Sequence, residues 1–338
     1  MNANWQEFLG TCGARIDQGT VADFGDSAAE LVAARDATIV APLVHLGLIG
    51  LAGDDARTFL HTQLTSDVKH LESNSAQHSA WCTPKGRMVA SFLIYRERSD
   101  YRALLSADLL ETIRKRLQIF VLRSKVIISD LSDTCQVLGL AGPQAEAVLH
   151  GAGLPAPGDA LKTAAYPDGF VIRLDSKRYI IVVGNDAASV LWTKLAAHAR
   201  PAGTPVWQWL DIQAGLPLIS DATKEQFVPQ MANFDAIGGV SFHKGCYPGQ
   251  EIVARAQYLG KVKRHLYPIR TTGAMAAGTA ILTPQDALHP CGMVVNAAPA
   301  PGGGFVGLAV IQENFIAAGN LELGAPGGQR VMLAAVVG

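Results

Sequence analysis

Residues 243–251 read HKGCYPGQE. Two glycines and a proline bend the chain around a single cysteine, and an acid closes the stretch. Gly245 and Gly249 admit backbone angles closed to other residues, and Pro248 suits the first turn of a helix. Ile252, Val253 and Ala256 follow at helical spacing. Cys246 is therefore expected just before a helix N-terminus, where unpaired N–H groups and the positive dipole end favour anions. His243, Lys244 and Arg255 add positive charge close by in sequence. All of these lower a thiol pKa, which is the pattern of a cysteine that ionises near neutral pH. The same residues also describe a cysteine that merely packs a tight turn as a small apolar group, and local composition leaves both readings open.

A second cationic turn, TPKGRM (83–88), sets Lys85 and Arg87 around Gly86. Exposed N–H groups and two positive side chains there suit a carboxylate or phosphate; a solvated hairpin tip is the alternative. Trp81, Trp207 and Trp209 border turns and could stack on a flat ligand or fill the core. His45, His61, His70, His78 and His198 match no metal-ligand spacing and read as structural or surface residues. The chain has no G-x-S-x-G, H-E-x-x-H, Walker A or strand-following G-x-G-x-x-G motif.

The elements that must position these turns follow from periodicity. Residues 54–64 place Ala56, Phe59, Leu60 and Leu64 on one helical face, with Asp54 as N-cap. A strand is expected over 88–95. Residues 106–122 predict a helix capped by Ser106, with Leu109, Leu110, Ile113, Leu117, Phe120 and Val121 as its buried stripe. A strand over 125–129 follows. A second α+β stretch has a strand over 136–140, a helix opened by Pro143 and closed by Gly151, and a hairpin of 170–174 with 179–183. Helices over 186–198 and 206–214 come next. Residues 258–338 show short apolar runs broken by Gly and Pro and no helix, the pattern of a small β-barrel or sandwich. The nearly uncharged run 37–53 holds Pro42 and three glycines and reads as two short strands, not a membrane helix.

The 338 residues imply two or three domains. A formal net charge of −1 gives no overall basic field for nucleic acid, and the basic run KVKRH (261–265) reads as a solvated strand edge, so direct nucleic-acid binding is not expected. The five cysteines, Cys12, Cys82, Cys135, Cys246 and Cys291, form no C-x-x-C pair and suggest a reducing compartment. The N-terminus reads as neither secretory nor transit peptide. A cytoplasmic protein with no membrane partner is expected.

KGCYPGQE (244–251) resembles the K-G-C-Y-x-G-Q-E signature of the YgfZ family, folate-binding proteins related to the glycine-cleavage T-protein (GcvT) superfamily. FLHTQLTSDV (59–68), TPKGRM (83–88), LRSKV (122–126), DIQAGLPLI (211–219), FVPQMANFDAIGGVSF (227–242) and EIVAR (251–255) are similar to that family in the same order. The resemblance implies an α+β, GcvT-like multi-domain fold. Residues 1–257 would form two interleaved α+β units around a central folate cleft, one unit covering roughly 46–134 plus 215–257, and 258–338 would form a C-terminal β-barrel. It implies tetrahydrofolate or a derivative as cofactor and no permanently bound metal. Cys246 becomes the working thiolate and a possible transient cluster ligand, with Lys244 and Arg255 beside it. Gly245, Tyr247, Gly249, Gln250, Glu251, Lys85, Arg87, Asp67 and Gln213 become the folate-binding set.

The sequence departs from the aminomethyltransferases of that superfamily at two places. Their aspartate pair aligns with Ala90 and Ser91, and Gln213 stands where they carry a glutamate. The implied function is support of iron–sulfur cluster assembly or repair, and through it tRNA methylthiolation, with cluster-containing or assembly proteins as partners. The alternatives are a folate-dependent one-carbon transferase or demethylase, and a non-catalytic folate-binding regulatory module.

Overall fold

The apolar run 37–53 breaks at Pro42 into two buried strands, Ile39–Pro42 and Leu46–Ala52. The Leu46 N–H donates to the Leu43 carbonyl at 2.9 Å to close the turn between them. The computed structural model describes residues 1–258, 260, 262–284, 286, 288–317 and 319–334. Lys261, the first base of the KVKRH run, thus lies outside the described residues. The chain divides into two interleaved compact units: residues 1–56, 70–77 and 93–207 form one, and 57–69, 78–92 and 208–338 the other.

The first unit carries a six-stranded sheet. Its order is Thr163–Tyr166, Gly169–Arg173, Arg178–Gly184, Cys135–Ala141, Ile39–Pro42 and Arg200–Pro201, antiparallel except for the last pair. Helices Ala3–Thr11, Ala145–Gly151 and Asn185–Ala196 cover it with Trp5, Leu9, Leu149, Trp192 and Leu195. In the same unit, Leu46–Ala52 pairs with Asp100–Ser106 and Ile127–Asp130. Helix Leu110–Val121 buries Leu110, Ile113, Leu117 and Val121.

Two expectations for that helix fail. Ser106 ends a strand opposite Leu46, and its side chain makes no capping bond; a 3-10 turn, Ala107–Leu109, starts the helix instead. Phe120 is 46% exposed, because Leu117 and Val121 occupy the buried face and a neighbour of Val121 points about 100° away. Asp54 pairs with Lys125 Nζ at 3.3 Å.

The second unit contains the site stretches and a closed barrel. The barrel runs Arg264–Thr271, Phe305–Gln312, Gly292–Pro299, Ala280–Leu282, Leu321–Leu323, Arg330–Leu333 and back to the first strand. Ile269, Ile281, Val294, Ala309, Ile311 and Val331 fill it. The expected barrel is present, and among the described residues a short helix, Glu313–Ile316, stands where none was expected. A bulge between Val294 and Asn296 re-aims the Asn296 amide. Its Oδ1 accepts from Leu218 N–H and its Nδ2 donates to Leu218 O, both at 2.9 Å, which fixes the DIQAGLPLI stretch. Among the described residues no helix is long and apolar enough to cross a membrane.

Candidate functional site

Three stretches remote in sequence meet in the second unit. The first is the segment after helix Ala56–Gln63. Thr65 stitches it in place: its N–H donates to Ala80 O (2.9 Å), its hydroxyl to Gly239 O (2.6 Å), and its carbonyl accepts from Ser241 N–H (2.9 Å). Ser66 and Ser79 bond through their hydroxyls at 2.7 Å. These bonds satisfy buried polar groups on both sides and tie Thr65 and Ser66 to the neighbouring segments.

The second stretch is the 83–87 turn. Gly86 N–H donates to Thr83 O and Thr83 N–H to Arg87 O, both at 2.8 Å. Lys85 stands exposed at its tip, and Arg87 donates to the Gln226 carbonyl. The third is the 243–251 loop. Its Tyr247–Gln250 turn closes with Gln250 N–H on Tyr247 O at 3.2 Å.

The two cationic turns touch backbone to backbone. Gly249 has φ +80°, and a Cβ there would lie 2.4 Å from Thr83 O and 2.7 Å from Gly86 Cα. Gly86 has φ +70°, and a Cβ on it would meet Ile252 Cβ at 3.0 Å. Only glycine meets both demands, a left-handed backbone and no side chain. By contrast, a Cβ on Gly245 would meet nothing nearer than His61 Nε2 at 3.8 Å.

Lys244 does not point at the thiol loop's open side. Its ammonium is buried against three backbone carbonyls, those of His61, Leu64 (2.5 Å) and Ser66 (3.0 Å). Three N–H donors meeting three acceptors is a closed set. Burial pulls this amine down to about 8, and the nearby Asp67 carboxylate opposes that shift. Nζ also lies 5.1 Å from the centroid of the Tyr247 ring. Tyr247 itself is 7% exposed, and burial raises its phenol pKa. The residues flanking Gly245 and Cys246 are thus driven into the protein, while Gly245 and Cys246 are exposed.

The helix that follows is Gln250–Tyr258, beginning only after the intervening turn. The N–H groups of Ile252 and Val253 bond Gly249 O at 3.1 Å. The expected position of Cys246 immediately before the helix is therefore displaced by the Pro248-Gly249 turn. Arg255 is 64% exposed and pairs loosely with Glu251, at 3.8 Å and itself 85% exposed. Gln250 is partly exposed. Gln213 ends helix Thr204–Gln213, partly exposed, and no hydrogen bond among the described residues ties it to either turn.

The structure adds two residues that sequence reading assigned no role. His61 places Nδ1 3.3 Å from Asp67 Oδ1 and its other ring nitrogen toward Gly245. Gln63 has a buried side-chain oxygen with no hydrogen-bond partner among the described residues. Both lie in FLHTQLTSDV with Asp67, but the helix ends at Gln63, so helical spacing carries neither His61 nor Gln63 to that aspartate and gave no signal. Trp81, Trp207 and Trp209 are core residues at 2%, 1% and 9% exposure. Ala90 is buried, and the buried Ser91 Oγ accepts from Ile219 N–H at 2.9 Å. Among the described residues no group of three His, Cys, Asp or Glu side chains is placed to hold a metal ion.

The family description GCVT N-terminal domain matches residues 16–155. A tRNA-modifying protein YgfZ of Photobacterium profundum is 34% identical over 242 residues, 70% of this chain and 72% of that protein. Its counterpart in Sodalis glossinidius is 34% identical over 222 residues, 65% of this chain and 67% of that one. The crystal structure of glycine cleavage system aminomethyltransferase T from Bartonella henselae shares the fold, with a TM-score of 0.82 at 18% identity over 98% of this chain and 95% of that chain.

Proposed function

This chain belongs to the YgfZ family, and from that premise we propose that it binds tetrahydrofolate and supports iron–sulfur cluster assembly or repair, and thereby tRNA modification, with Cys246 as the working thiolate. One observation carries the reading: the loop buries Lys244 and Tyr247 and leaves Cys246 exposed between them. A cysteine that only packed a turn would be the buried member of that trio. The printed name of the relatives, tRNA-modifying protein, supports the process. One thiolate cannot hold a cluster alone, so the other ligands come from a partner protein carrying or receiving the cluster.

The residues fit a folate. Its pterin edge presents N–H donors, and the buried Gln63 oxygen is an acceptor in want of one. Gln213 and Asp67 offer further polar contacts to such an edge. Its glutamate tail needs cations, and Lys85 and Arg87 supply them on a turn fixed by Gly86. Bound folate would supply a one-carbon carrier. The chain's own part is to hold the two turns together, expose the thiol and anchor its flanks.

Complementation in a gene-deletion host tests this. Wild type is expected to restore both tRNA methylthiolation and aconitase-type activity, and Cys246→Ala to restore neither. Full rescue by Cys246→Ala would make the cysteine structural and leave a folate-binding module without thiol chemistry. The fold shared with an aminomethyltransferase favours a second reading, one-carbon transfer. Ala90 and the occupied Ser91 hydroxyl stand against it, since neither offers a general base. Turnover of an aminomethyl donor with tetrahydrofolate would establish it.

A further inference from the structure

Helix Gln250–Tyr258 has an apolar stripe that the protein only half uses. Val253 is fully buried, but Ile252 is 36% exposed. Ile252, Arg255 and Ala256 stand at i, i+3 and i+4 and face a common groove. The groove has a volume of about 450 Å³ and opens to solvent. Its apolar lining comes from Val228, Met231, Ile252, Ala256 and Val262. Three cations line it: Arg255, Lys263 and Arg264. Arg255 has only the loose pairing to Glu251 described above, and Lys263 and Arg264 are exposed.

We propose that this groove is a docking site for an acidic amphipathic helix of a partner protein. An aliphatic lining with a methionine accepts side chains of varied shape, and cations around it select flanking carboxylates. A groove this open covers one face of its ligand, which fits a helix laid along it better than a small molecule that must be enclosed. The adjoining strand Arg264–Thr271 pairs along its whole length with Phe305–Gln312 and, at Ile269 and Arg270, with Arg330–Leu333. RNA fits less well, since among the described residues no aromatic ring lines the groove for a base to stack on. The groove lies on the helix that follows the Cys246 loop, so a docked partner would be held on the same element that leads from the thiol. The inference stands whatever chemistry Cys246 performs.

The probe is a fluorescein-labelled, stapled helical peptide with leucines at i, i+3, i+4 and i+7 and glutamates flanking them, read by fluorescence polarisation on the full chain. A scrambled peptide of the same composition and a single-stranded RNA oligonucleotide serve as competitors. The intact peptide is expected to bind, to weaken with added salt, and to bind Lys263→Glu/Arg264→Glu about tenfold or more weaker. A peptide with lysine for glutamate should then bind that double variant better than it binds wild type, a gain that misfolding cannot produce. Met231→Ser, which removes apolar surface without adding charge, should weaken both peptides alike. Equal binding of the scrambled peptide, no effect of the charge reversal, or displacement by RNA with the same variant sensitivity would each overturn the proposal.

Discussion

Gly245 and Gly249 belong to the same eight-residue motif, and the structure predicts opposite fates for them. In Gly249→Ala the new methyl must sit at φ +80° and 2.4 Å from the Thr83 carbonyl oxygen. The left-handed backbone costs an L residue about 1 kcal/mol. Relieving the contact requires the two turns to part by roughly an ångström, and overpacking of this kind costs about 1–3 kcal/mol. The sum is a loss of roughly 2–4 kcal/mol. Gly245→Ala meets only the His61 ring, at ordinary contact distance, and has no positive φ to sustain. Its cost should stay below about 0.5 kcal/mol. Urea unfolding of both variants measures the difference. Because the chain has two units, hydrogen exchange over 83–88 and 245–253 should accompany it, and Gly249→Ala should raise exchange in both segments together. Wild-type stability and exchange in Gly249→Ala would refute the backbone contact. Equal damage from Gly245→Ala would refute the contrast.

Lys244→Met should cost about 3 kcal/mol, since it strands three carbonyls that are buried or nearly so. Thermal melting checks the loss, and faster exchange over 61–69 locates it. The same lysine sets a pH dependence. Its folded pKa, about 8, lies below the ordinary 10.5, so between these values the unfolded chain binds more protons and stability rises with pH. Relative to Lys244→Met, wild type should gain stability from pH 8 to 10.5, by at most about 1.4 kcal/mol per unit, and show a flat difference below pH 8. A difference that shrinks over that window would invert the assignment.

The sequence alone determined the types of most elements and singled out the candidate residues for chemistry. Alternating apolar runs and Gly–Pro breaks announced the strands and the barrel, because side-chain period and turn chemistry act over a few residues. The thiol loop and the TPKGRM turn were legible for the same reason: each is a local composition. What the sequence did not contain was direction. Lys244 reads as a cation beside Cys246, yet its ammonium goes to carbonyls of 61–66. Gly245 and Gly249 read alike, yet only one abuts a turn more than a hundred and fifty residues earlier. Ile252 reads as core and faces an open groove. Phe120 reads as core and faces solvent. Periodicity names a face of a helix but not what covers it, and a motif names its glycines but not the backbone each must approach. Those choices are made by packing between distant segments, where a contact of one or two ångströms decides which residue is free to act and which must hold still.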